Sequence, residues 1–219
     1  MAVGSASQGI DEFAPARVAQ LPRDFEAAVA DYAQGDPVIV GYGAECLIAV
    51  SGAQATPRGT AELVRYGAGL IFVAMQSQRL QALRIPAMPA DHGSRCPNSY
   101  VAVDASSGIG TGISALDRAA TIRKLSDPDS TPDAFRRPGH VLPVAADLVV
   151  GAVATAPQVA LMLASLTGIE PAVVAFTALP SVEQPCENAT SVEGRRIAER
   201  LGRRFIDSQT IATAFYGCR

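Results

Sequence analysis

The chain has 219 residues, 48% of them hydrophobic, no tryptophan, and a formal charge of −3. That is apolar material for one sizeable core, and the aliphatic bias suits a sheet covered by helices. With no basic stripe and no block of like charge, nucleic acid is argued against as a partner.

Residues 1–17 lack a charged start followed by an apolar core, so they read as a disordered leader rather than a signal peptide. Residues 18–219 read as one domain. Residues 25–34 carry apolar side chains at helical spacing (Phe25, Ala28, Val29, Tyr32) and stop at Gly35-Asp36-Pro37. Val38-Ile39-Val40 and residues 46–50 read as buried strands, joined by a tight Gly41-Tyr42-Gly43-Ala44-Glu45 connection. Residues 60–67 are predicted helical behind Pro57, residues 70–75 a strand, and residues 80–83 a helical turn before a proline-rich loop over 86–97. Residues 99–104 alternate like a strand, and residues 114–125 follow as a helix with Ser114 as its cap. Residues 127–138 read as a polar loop.

The most apolar stretch, residues 148–166, approaches membrane-span length, but Pro157 interrupts it. It reads as a buried strand-to-helix unit closed by Gly168, with no membrane partner. A strand over 173–178, a helix over 191–201, a short strand at Phe205-Ile206 and a helix over 208–215 complete the chain. The four cysteines (Cys46, Cys96, Cys186, Cys218) show no paired metal-ligand spacing. The expectation is a soluble, cytoplasmic α/β protein.

Two segments carry a specific signature: Gly108-Ile109-Gly110-Thr111-Gly112-Ile113-Ser114-Ala115-Leu116-Asp117-Arg118, and Phe135-Arg136-Arg137-Pro138-Gly139-His140-Val141-Leu142-Pro143. Together they resemble the centre of 3,4-dihydroxy-2-butanone 4-phosphate synthase, the riboflavin-pathway enzyme that converts ribulose 5-phosphate. The likeness is collinear from about Phe25 to Phe215. It implies a single-domain α/β sandwich with a mixed sheet, and a homodimer with sites near the subunit interface.

The departures from the family pattern bear on chemistry. Family members carry an acidic loop between the first two strands, approximately D-D-E-D-R-E-N-E-G-D, that supplies a metal-binding glutamate. Here the stretch is Gly41-Tyr42-Gly43-Ala44-Glu45-Cys46. The family's R-x-G-H-T-E-A segment supplies a metal-binding histidine, and its counterpart here is Gly151-Ala152-Val153-Ala154-Thr155-Ala156. A later family glutamate falls near Phe176-Thr177-Ala178. A hard divalent cation wants several oxygen ligands, which these stretches do not supply, so no metal and no cofactor is expected.

His140, Thr111 and Glu45 are the candidate catalytic residues: His140 and Thr111 by the resemblance, Glu45 as the carboxylate left where the acidic loop rejoins the second strand. Arg136, Arg137, Tyr42, Tyr66, Cys46, Asp91 and His92 are candidate substrate contacts. Each has a plainer alternative. Asp117 and Arg118 read as a cap or ion pair, Cys46 as core packing, and Asp91-His92 as solvated loop. The function expected is a repurposed, metal-independent isomerase, dehydratase or cyclase acting on a relatively apolar small molecule. The alternatives are a non-catalytic binding homologue and a genuine magnesium-dependent synthase.

Overall fold

In a computed structural model, which describes residues 23–67, 69–89, 98–148 and 154–217, the apolar runs become the strands of one sheet. The expected leader, with Asp91 and His92, lies outside the described residues. The first half comprises α1 (Arg23–Ala33), β1 (Val38–Tyr42), β2 (Glu45–Ser51), α2 (Pro57–Tyr66), β3 (Phe72–Met75), α3 (Ser77–Ala82) and β4 (Val103–Ala105). The second half comprises α4 (Ala115–Ser126), β5 (Phe135–Ala145), α5 (Ala156–Ser165), β6 (Val174–Ala178), α6 (Ser191–Leu201), β7 (Arg204–Asp207) and α7 (Ser208–Gly217).

The strand order is β4-β5-β3-β6-β2-β1-β7. β1 with β7 and β3 with β5 run parallel, and the other neighbours are antiparallel. The mixed sheet and its helices bear out the expected fold class.

Each strand sends alternate side chains to opposite faces. Ile39, Ile48, Val50 and Val73 join one buried cluster, which takes Leu63 of α2, Ile122 of α4 and Ile197 of α6. Val38, Val40, Leu47 and Ala74 join the other, with Tyr32 of α1, Leu161 of α5 and Ile211 of α7. Both faces are covered, which is why these strands read as continuous apolar runs rather than as alternation. Burying each such aliphatic side chain contributes about 1.5–3 kcal/mol.

Helix starts are set by local chemistry. Thr56 Oγ1 accepts from Gly59 N at 3.0 Å with Pro57 in the first turn, and Ser114 Oγ accepts from Asp117 N at 3.1 Å, as its position predicts. Gly202 ends α6 with φ +62, where the left-handed conformation favours glycine.

Two expectations need correction. Residues 99–104 form a strand only at their end: Ser99 and Tyr100 make isolated bridges to Val144 and Ala87. The polar loop over 127–138 is shorter than expected, since β5 begins at Phe135. Phe135 is buried and pairs with Ala105, which anchors the strand. Between the pairs Asp104↔Arg136 and Val103↔Val141 the register shifts, so residues 137–140 bulge out of the ladder. Pro138 has no N–H to offer a ladder, and a bulge tolerates it.

Candidate functional site

At the β1–β2 hairpin, Tyr42 pairs with Glu45 and only Gly43 and Ala44 remain at the tip. Gly43 has φ +56 at the first tip position, where a II′ hairpin takes glycine. The hairpin is thus closed by a minimal turn, with Glu45 at its exit.

Beside Glu45 opens a cavity of about 420 Å³. Its walls include Phe72 of β3, Phe176 of β6, Val144 of β5 and Pro157 of α5. Asn98, Ser99 and Thr155 add polar groups, and Glu45 is the one ionisable side chain among the described lining residues. The Phe72 and Phe176 rings stack with centroids 5.7 Å apart. Pocket size and an apolar wall with a few polar groups are what small organic ligands require.

Glu45 also borders a cavity of about 90 Å³ against Cys46 and a cleft of about 610 Å³ reaching Ser208 and Gln209 at the start of α7. Tyr42 lies between these two spaces, its hydroxyl donating to Ala154 O at 3.0 Å. Thr155 precedes α5, where its N–H and hydroxyl both donate to Gln158 Oε1 at 2.8 and 2.9 Å. Gly151, Ala152 and Val153 lie outside the described residues.

This donor set does not fit a divalent metal. Among the described residues no three His, Cys, Asp or Glu side chains converge, and the cavity offers one carboxylate. Magnesium requires near-octahedral oxygen ligation, normally from carboxylates with water.

The second half of the candidate set gathers elsewhere. Asp104 Oδ1 accepts the backbone N–H of His140 at 2.9 Å, and its Oδ2 lies 2.7 Å from His140 Nδ1. Asp104 is buried, while the His140 side chain is 41% exposed. Thr111 is exposed on the adjoining turn. Arg136 projects outward from β5. Arg137 is half-buried and donates to Leu83 O at 2.9 Å, a structural tie.

His140 and Val144 lie on one strand, roughly 13 Å apart at the usual rise. The structure therefore brings Glu45, Tyr42 and Cys46 together, and separately His140, Thr111 and Arg136. None of the latter three is among the residues lining the cavities described above. Tyr66 sits apart from the residues named around these spaces, packed against the α2 core with the Arg65 guanidinium 5.6 Å from its ring centroid.

Three residues are held in structural contacts, though Asp117 and Arg118 form neither the cap, which is Ser114, nor an ion pair among the described residues. Cys46 is 2% exposed, donates its thiol to Thr190 O at 3.3 Å, and burial pushes its pKa up to about 11. It is a protonated core thiol at neutral pH. Asp117 is buried and accepts from Gly110 N at 3.2 Å and Gly112 N at 3.1 Å. The Gly110 N–H first, then those of Gly112 and the Ser114 hydroxyl against the cost of burial, hold its carboxyl below the usual range. Those two turn amides are therefore occupied from within, and a phosphate would have to displace Asp117 to use them. Arg118 donates to Ile113 O at 2.8 Å, tying the turn to its helix.

Two features escaped the sequence. Asp104 reads there as a strand end, and only its place just before the glycine turn hints at His140. Phe72 and Phe176 are cavity walls because β3 and β6 pair them directly.

Residues 26–214 match the family model described as 3,4-dihydroxy-2-butanone 4-phosphate synthase. The riboflavin biosynthesis protein RibBA of Mycobacterium tuberculosis is 41% identical over 155 residues, covering 67% of this chain and 36% of that protein. The chain thus spans about a third of that relative's length. The crystal structure of the Candida albicans synthase aligns with a TM-score of 0.76 at 26% identity, over 86% of this chain and 95% of that one. A synthase structure in complex with two magnesium ions aligns with a TM-score of 0.74 at 27% identity, over 85% and 94% of the two chains.

Proposed function

The chain belongs to the 3,4-dihydroxy-2-butanone 4-phosphate synthase family, and from that premise we propose that it is an enzyme working on a relatively apolar small organic substrate without a divalent metal. The observation that supports this is the cavity: Phe72, Val144 and Phe176 where the ligand would rest, and one described carboxylate, Glu45, beside it. A sugar phosphate calls for cationic or amide partners, and the described lining offers no cation.

The chemistry proposed is proton transfer during isomerisation, dehydration or cyclisation, with Glu45 and His140 as the acid–base groups and Thr111 as a hydrogen-bonding one. Tyr42 and Arg136 are the proposed polar contacts. The proposal includes a homodimer, as the family resemblance implies. The proposal is that such an assembly brings His140 and Thr111 of one copy to the cavity of the other; beside Thr111, Ile113 and Leu116 are exposed and apolar. No helix among the described residues is long and apolar enough to cross a membrane.

A second reading, the parent synthase of riboflavin biosynthesis, is favoured by the family match and by the intact His140 signature. One experiment separates the two. Purified protein is incubated with ribulose 5-phosphate and magnesium, and formate and the four-carbon phosphate are sought by mass spectrometry. The expected result is no product and no rise in melting temperature with either compound, since a native-state ligand must stabilise the fold. Product at catalytic turnover establishes the synthase reading and discards the metal-independent one.

A further inference from the structure

Asp104 commits both carboxylate oxygens to a single partner. Oδ1 accepts the His140 backbone N–H at 2.9 Å and Oδ2 faces His140 Nδ1 at 2.7 Å, from a residue only 7% exposed. The contact is shielded by the glycine turn. A Cβ on Gly112 would stand 2.2 Å from Asp104 Oδ2 and 2.8 Å from His140 Nδ1, so the turn backbone lies directly against the pair. Gly112 is itself held there by its N–H bond to Asp117.

On the other side, Gly139 backs onto the Val103 main chain so closely that a Cβ would reach 2.0 Å from Val103 C. The bulge therefore has little freedom to lift His140 away. With Nδ1 engaged and the side chain 41% exposed, Nε2 has no hydrogen-bond partner among the described residues.

An ionised carboxylate accepts hydrogen bonds and donates none, so the nitrogen facing it must carry the proton. We propose that Asp104 is a positioning residue that fixes His140 as the Nδ1–H tautomer and presents its Nε2 lone pair to solvent as a proton acceptor. The inference deepens the proposed function and rests on its assignment of His140 to proton transfer. It also explains the glycine at position 112, since any side chain there would push the pair apart.

The test uses Asp104→Asn. The asparagine Oδ1 can keep the His140 backbone N–H, which turns the amide NH2 toward Nδ1. A donor there forces Nδ1 to accept, and the proton moves to Nε2. The chain has two histidines, so a His92→Gln background leaves His140 as the one imidazole. Long-range proton–nitrogen correlation on 15N-labelled protein then reads the tautomer directly.

The expected result is Nδ1–H in the parent protein and Nε2–H in the Asp104→Asn variant, accompanied by loss of His140 carbethoxylation by diethyl pyrocarbonate in that variant. An Nε2–H tautomer in the parent overturns the inference, as does an unchanged tautomer in the folded variant. Should the variant not fold, the tautomer of the parent protein decides alone. No substrate enters this measurement, so its failure is distinguishable from failure of the cavity reading, which the product assay judges.

Discussion

Asp117 and Cys46 both carry ionisable side chains, and their surroundings set them to structural roles. Asp117 gains its ionised form from the amides of Gly110 and Gly112, so its folded pKa lies below the ordinary aspartate value of about 3.9. A depressed carboxyl stabilises the fold above that value and loses its contribution as pH falls through the folded pKa. Asp117→Asn should therefore lower the melting temperature at neutral pH, with the gap to the parent narrowing below about pH 4. A gap independent of pH would rule out the ionised carboxylate as its source. For Cys46, raised to about 11, iodoacetamide at neutral pH should label exposed Cys186 and leave Cys46 untouched, as read by peptide mass mapping. Tyr32 is a third case. It is fully buried with no partner for its hydroxyl among the described residues, so Tyr32→Phe should hold or raise stability by about 1 kcal/mol in a denaturant titration.

At the scale of elements, the bulge in β5 sets His140 against Asp104 at the β4–β5 pairing. Its closest approach is Gly139 against Val103, and no side chain fits there without parting β4 from β5. Gly139→Ala should cost about 3 kcal/mol by chemical denaturation, at the upper end for overpacking. It should also disturb the His140 backbone N–H bond to Asp104, visible as a shifted amide resonance. Gly202→Ala is the contrast. Its φ is positive, but the added methyl meets open space, so the cost should be near 1 kcal/mol, from backbone strain alone. A larger effect at Gly202 than at Gly139 would mean that conformation, rather than packing, dominates.

For the molecule as a whole, the signature segments and the apolar runs made the α/β class and most elements legible before any coordinates. The candidate site was legible only in part. Glu45, Thr111 and His140 stood out by residue type and motif, but Asp104 meets His140 across a separation of 36 residues. That meeting depends on a register shift that no local pattern encodes. Phe72 and Phe176 likewise read as ordinary strand residues until pairing sets them side by side. The β1–β2 turn carries a wider consequence. Its flanking strands pair continuously from Val38↔Ala49 to Tyr42↔Glu45, so nothing in the sheet depends on what fills the tip. Each doubling of a flexible loop adds only about 0.6 kcal/mol of closure entropy. The tip is thus a place where chain length is cheap: residues inserted between Tyr42 and Glu45 should leave the pairing of β1 with β2 and both core layers as they are, which a melting temperature close to the parent's would show.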